Sequence, residues 1–211
     1  MDPTLQPWPP RPVDLASTTP APMFPLPGVY LFPGQMMPLH IFEPRYRAMV
    51  EDSLDSTGRI VIATVLAAHR AALPGSPPVV DVAGIGEIAR HERLPDGRFL
   101  LWLCGLGRVR IHEVPSEAAY RRVRFTPLLD IEPSMREVTE LRPCVLDAIR
   151  RRTGTDLSSH EAAPLGVLAD LLAQCLTLPE SVMTALHGEM NVAERARKAI
   201  AAERRFPATT G

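Results

Sequence analysis

The sequence predicts an α+β chain in which a small mixed β-barrel carrying one early helix is followed by a C-terminal α-helical bundle. Two observations carry this. Up to about Asp130, short apolar runs are broken every few residues by Gly and Pro, the punctuation of strands and turns. Beyond Pro133, apolar residues recur at steps of three and four, the spacing of helices packed on one face. The 211 residues are 45% hydrophobic and 22% charged, a globular balance. A chain of this size hides roughly 70% of the surface its unfolded form exposes.

Taken in order, residues 1–22 hold seven of the 23 prolines and almost no large apolar side chains after Trp8, so they are expected to form a flexible extended tail. The barrel is expected over 23–133 and the helical part over 134–211. Residues 29–32 read as a strand ending at Pro33-Gly34, and 38–42 as the next. From Pro44 to Ser53 the spacing of Tyr46, Met49 and Val50 is helical, with Pro44 in the first turn, where its missing N–H costs nothing. The β-branched run 60–66 suits a strand covered on both faces. Further strands are expected over 79–89, 98–114 and 120–129, with Pro95-Asp96-Gly97 as the hairpin turn between the first two. Glycines at Gly105 and Gly107 mark a bulge or sharp bend. Helices follow over 134–153, stopped by Gly154, then 162–176, then 179–187. A last helix runs from Asn191, with Glu194 in capping-box spacing, to about Arg205.

Several function classes are disfavoured. Net charge is -1, so no overall field draws the chain to nucleic acid or anionic lipid. Cys104, Cys144 and Cys175 are widely spaced without a CxxC, which fits reduced thiols in the cytoplasm. The N-terminal residues carry no signal-peptide pattern, and the longest apolar run, 60–68, is about half a membrane span. His91-Glu92, His112-Glu113 and His160-Glu161 lack the second His of a metalloprotease helix, leaving no metal site of that kind. Gly84-Ile85-Gly86 matches a dinucleotide fingerprint in letters, but a strand end and a turn follow where a helix N-terminus is needed. No GxxxxGK[ST], GxSxG or SxxK arrangement is present, and Lys198, expected to be solvated, is the one lysine. Asp130 and Glu132 read as exposed charges. No catalytic residue, metal or cofactor is therefore assigned.

The stretch Phe24-Pro25-Leu26-Pro27-Gly28-Val29-Tyr30-Leu31-Phe32-Pro33-Gly34 resembles the opening of the Lon protease N-terminal (substrate-binding) domain family. Pro38-Leu39-His40-Ile41-Phe42-Glu43-Pro44-Arg45-Tyr46 continues the resemblance in the family's PLxIFExRY form. Gly84 and Gly86, then Gly97, then Gly105 and Arg108 match its later GxxGxI…DG…LxGxxRxRI segment. The resemblance spans roughly residues 23–206. It implies a PUA-like β pseudo-barrel followed by a helical bundle. It also implies the substrate-recognition part of Lon without its ATPase or Ser–Lys peptidase modules, neither of which this chain is long enough to hold.

The residues suggest physical roles of their own. Phe24, Leu26, Leu31, Phe32, Leu39, Ile41 and Phe42 are expected in the barrel core, and Glu43 with Arg45 as an ion pair at the strand-to-helix joint. Phe32, Met36, Met37 and Leu39 are the expected contacts for a polypeptide, because thioethers suit adaptable apolar surfaces and a barrel edge can accept an extended strand. The expected function is a non-catalytic module that binds unfolded or apolar polypeptide segments or a partner protein. RNA binding, suggested by PUA-like architecture and by Arg121-Arg122-Arg124 and Arg150-Arg151-Arg152, is the alternative. Only 5% aromatics and the near-zero charge weigh against it.

Overall fold

A computed structural model describes residues 19–72, 75–155, 157 and 162–206. Most of the expected tail and His160-Glu161 lie outside the described residues. Two compact units divide the chain, one up to Leu128 and one from Leu129 onward.

The first unit contains strands β1 (Ala21–Pro27), β2 (Met36–Ile41), β3 (Arg59–Val65), β4 (Val82–Arg93), β5 (Phe99–Val114) and β6 (Arg122–Leu128), with helix α1 (Pro44–Leu54) between β2 and β3. β1 runs parallel to β3; the other pairs are antiparallel. The order β2-β5-β4-β3-β1-β6, with β5 also paired to β6, closes five strands into a ring. β2 is left as an added edge on the first half of β5.

That division of β5 depends on a bulge. Ile85 faces Gly107 while Gly86 faces Gly105, so Leu106 is the extra residue at the predicted glycines. A second register shift falls between Ile88 and Arg90. The predicted Asp96-Gly97 turn joins β4 to β5, with Gly97 at φ 81°.

Residues 29–32 are not a strand. The regular strand is β1, further upstream, and its Ala21 and Pro22 pair with Val123 and Arg122. The 29–32 stretch instead lies against two glycines: a Cβ built on Gly84 would sit 2.2 Å from the Leu31 carbonyl oxygen, and one on Gly105 2.0 Å from that of Phe32. Gly34 N–H donates to the Gly105 carbonyl and Gly105 N–H to that of Gln35, both at 2.8 Å. The loop therefore docks on the sheet by backbone approach, which only glycine permits. Leu31, Ile41, Met49, Ile60, Leu101 and Leu103 form the centre of one apolar cluster, and β3 is buried on both faces as its run of branched residues implies.

The second unit holds α2 (Met135–Thr153), α3 (Leu165–Gln174), α4 (Glu180–His187) and α5 (Val192–Arg205). Ser134 and Glu137 make a full capping box at the start of α2, and Gly154 ends it at φ 65°. The Asn191 side chain accepts from Glu194 N–H, but the Asn191 N–H donates to the Glu189 carboxylate rather than to that of Glu194, so the expected box is only half formed. Asp130 is not simply an exposed charge. Its two oxygens accept from Arg195 at 2.9 and 2.5 Å; that guanidinium is fully buried, also lies 2.9 Å from Asp170, and donates to the Glu189 carbonyl. Lys198 pairs with Glu189 instead of standing free in water. No helix among the described residues is long and apolar enough to cross a membrane.

Candidate functional site

Alternation along β2 sorts its side chains between two faces. Met37, Leu39 and Ile41 oppose Leu103, Leu101 and Phe99, and all six belong to or pack on the core cluster. Met36, Pro38 and His40 oppose Cys104, Trp102 and Leu100 and point outward. Phe42 continues the outward set: it is 60% exposed, with its ring 5.9 Å from that of His40. Met36 is 46% exposed, and Leu100, Trp102 and Cys104 are half-buried.

The result is an outward strip two strands wide and about 20 Å long. Its far side is charged. Glu87, Arg90 and Glu92 on β4 lie opposite Cys104, Trp102 and Leu100, and the Arg90 guanidinium sits 5.0 Å over the Trp102 ring. An apolar centre with a mixed-charge rim is the composition of a recognition surface. A strip about 10 Å wide covers roughly 200 Å², far below the ~800 Å² that each partner contributes to a stable protein–protein interface. It suits one short extended segment.

Of the four polypeptide contacts expected from the sequence, the structure brings Met36 to this face. Phe32 (2% exposed) and Met37 (7%) are buried, so neither offers an exposed contact, and Leu39 is turned to the core. Phe42, expected inside, is outside, because the inward positions are those of Met37, Leu39 and Ile41. His40, Leu100 and Trp102 are not among the expected contacts; residues 99–103 are apolar throughout, and only the pairing of β5 with β2 shows which of them face outward. Pro38 also modifies the expected strand addition. A proline fits a ladder only where its missing N–H points away from the paired strand, here toward the open edge. An incoming strand would lose that bond, so side-chain contacts on the outer face must carry most of the recognition. The Cys104 thiol is pushed up by burial and by Glu87 across the pair.

The joint between β2 and α1 is built as expected. Arg45 holds Glu43 at 2.9 Å and stacks 4.6 Å over Tyr46, whose ring packs 4.4 Å from Phe24. Burial raises the Tyr46 hydroxyl above its usual range. Near it, a polar cleft of about 280 Å³ is lined by Arg45, Tyr46, Tyr120 and Arg121 among others. Its charges are already engaged: Arg121 grips Glu113 at 2.8 and 2.5 Å and a carbonyl of Pro77, and that hydrogen bonding holds the Glu113 carboxyl low. Tyr120 donates to Asp52 at 2.6 Å; burial and that bond push it up to about 12.

Other motif residues are buried or sit in turns. Arg108 is buried at 2% exposure, 5.5 Å from the Phe32 ring. Pro33 and Gly34 form the turn before β2, and Pro25 is buried within β1. Of the arginine groups suggested for RNA, Arg122 donates to the Pro20 carbonyl, and Arg151 and Arg152 pair with Glu203.

Residues 20–202 match the ATP-dependent protease La (LON) substrate-binding domain family. Lon protease 2 of Myxococcus xanthus is 27% identical over 176 residues, covering 75% of this chain, and the Lon protease of Anaeromyxobacter dehalogenans is 26% identical over the same length. The match spans 20% of each of these relatives. Among solved structures, the N-terminal domain of the Mycobacterium avium complex Lon protease superposes with a TM-score of 0.69 at 19% identity, covering 88% of this chain and 98% of that one. The Lon N-terminal domain protein from Xanthomonas campestris gives 0.62 at 21% identity, covering 87% and 98%. At these identities the structural likeness concerns the fold. What is matched is the substrate-binding domain, not a catalytic one.

Proposed function

The chain belongs to the ATP-dependent protease La (LON) substrate-binding domain family, and on that premise we propose that it is a non-catalytic recognition module that holds short, extended, apolar polypeptide segments on the outer face of β2 and β5. The observation that carries this reading is the outward strip of Met36, His40, Phe42, Leu100 and Trp102, an apolar surface rimmed by charge. Unfolded chains and loops of a partner protein both present such segments. The module works in the cytoplasm, where Cys104, Cys144 and Cys175 remain thiols.

Aromatic anchors dominate such surfaces, and removing one costs at least about tenfold in affinity. The test is a titration of the protein with a reduced, carboxymethylated polypeptide that cannot fold. Saturable binding that weakens tenfold or more in Phe42→Ser supports the reading. Binding that is absent, or unchanged in Phe42→Ser and Met36→Ser alike, contradicts it.

A further inference from the structure

We propose that the polar cleft beside Tyr46 is a second binding site, one for a small organic carboxylate that accepts hydrogen bonds from the Tyr46 hydroxyl and the Arg121 guanidinium. The cleft shares no residue with the strip, and the proposal does not depend on the polypeptide reading.

Tyr46 stands in the first turn of α1 and packs its ring 4.4 Å from that of Phe24, which leaves the residue only 5% exposed. A phenol buried to that degree ordinarily finds a hydrogen-bond partner, because an unmade bond is costly there. Tyr120, on the same cleft, does so by donating to Asp52 at 2.6 Å. The Tyr46 hydroxyl has no such partner among the described residues. It is not sealed from solvent either, and the residue lines the cleft. Burial keeps the hydroxyl protonated, and so a donor; the charges that act on it are the guanidiniums of Arg45 and Arg121 against the carboxylate of Glu43.

The ion pairs of the cleft engage its charges without using every donor. Arg121 spends three of the five N–H groups of a guanidinium, from Nε and Nη2 to Glu113 and from Nη1 to the Pro77 carbonyl. One N–H on each Nη is left over among the described residues. Ser116 accepts from the Ala118 N–H and keeps its own proton to give. The uncommitted groups are therefore donors, and they call for an oxygen acceptor.

Charge and size narrow the ligand. Arg45 is matched by Glu43 and Arg121 by Glu113, so no cationic surplus exists to hold a phosphate dianion. A single carboxylate instead gains charge-assisted bonds, which are roughly twice as strong as neutral ones. The cleft encloses about 280 Å³, just under the ~300–1,000 Å³ of drug-sized sites, and Pro115 and Ala118 give its wall an apolar part. The fit is to a compact acid with a short apolar body.

The test titrates the full chain, its tyrosines isotope-labelled at Cζ, with butanoate and separately with butanamide of the same shape. The labels fall on Tyr30, Tyr46 and Tyr120, and the signal missing in Tyr46→Phe identifies Tyr46. The expected result is a saturable shift of the Tyr46 signal with butanoate and at least tenfold weaker binding of butanoate by Tyr46→Phe, since a hydrogen bond to a charged group is worth about tenfold or more. Butanamide should bind at least tenfold more weakly than butanoate, and Phe42→Ser should bind butanoate unchanged. Phenylalanine keeps the ring that packs on Phe24, and the Tyr46 shift in the unsubstituted chain reads the site without any variant. No saturable shift, or equal affinity in Tyr46→Phe, overturns the site. Equal binding of butanamide, or tighter binding of inorganic phosphate, overturns its assignment to a carboxylate. Tenfold loss in Phe42→Ser overturns the site as well, placing the acid on the strip.

Discussion

Both units bury an apolar core, and they differ in what else they hide. In the barrel, the fully buried side chains are mainly apolar, among them Leu31, Ile60 and Leu103, and its closest approaches set backbone carbonyls against Gly84 and Gly105. Among the described residues of the helical unit the largest fully buried side chain is Arg195, held between Asp130 and Asp170. The barrel is closed by shape, so its outer face is left to carry apolar groups that packing does not require. The helical unit also buries an apolar core, with Val145, Leu168 and Leu172 at its centre, but adds a fully buried cation, and many of its acidic and basic groups pair with one another. Binding is therefore expected on the barrel, and sensitivity to loss of a single ionic partner on the helices.

The largest effect expected is from Arg195→Met. It removes the buried guanidinium that Asp130 and Asp170 both contact, and breaking a buried pair of this kind costs about 3–5 kcal/mol. Urea unfolding followed by the far-ultraviolet helical signal reads it; a change below about 1 kcal/mol would remove ionic closure from the comparison.

Gly105→Ala tests closure by shape. Overpacking usually costs ~1–3 kcal/mol, and here the obstacle is a backbone carbonyl 2.0 Å from the new Cβ, which cannot rotate aside. A loss near the top of that range, read from the Trp102 fluorescence midpoint in a Trp8→Phe background, is expected. A neutral result would mean that the 29–32 loop is free to shift.

These two positions also show what the sequence could and could not reveal. The glycines were legible as a bulge, and the bulge is there, but their second role as a bed for residues 29–32 requires knowing which loop comes back to them. Asp130 was read as solvated because its partner lies 65 residues away on α5, a separation that no local pattern bridges. Reading 38–42 as one core run placed Phe42 inside, whereas strict period two from Met37 and Ile41 places it outside. The early helix, the hairpin turn and the later strands follow from local chemistry; the first strand, expected at 29–32 and found at 21–27, does not, and the outward strip needs the pairing of β2 with β5.

A smaller effect is expected at the start of α2. Ser134→Ala removes the cap side chain and costs about 1 kcal/mol. It also changes the acid response. The Ser134 amide, then its hydroxyl, then Arg197 hold the Glu137 carboxyl below its usual range. The sign follows: this contribution is present above the ordinary carboxylate pKa of about 4.3 and is lost as pH falls through the lower folded value. Stability measured against pH in the acid range should fall less steeply in the variant; identical slopes would mean that the box does not hold the charge.

The smallest stability effect, within about 0.5 kcal/mol, is expected for Phe42→Ser, because the ring is exposed. The same change should have the largest effect on binding. That separation is what distinguishes a recognition surface from a misplaced piece of core.

The most direct measurement is backbone hydrogen exchange of the full chain with and without a saturating unfolded polypeptide. The account predicts new protection confined to β2 and the facing half of β5, around residues 36–42 and 99–104. Protection centred on the cleft beside Tyr46 and Tyr120, or on the helical unit, with β2 unchanged, would contradict it.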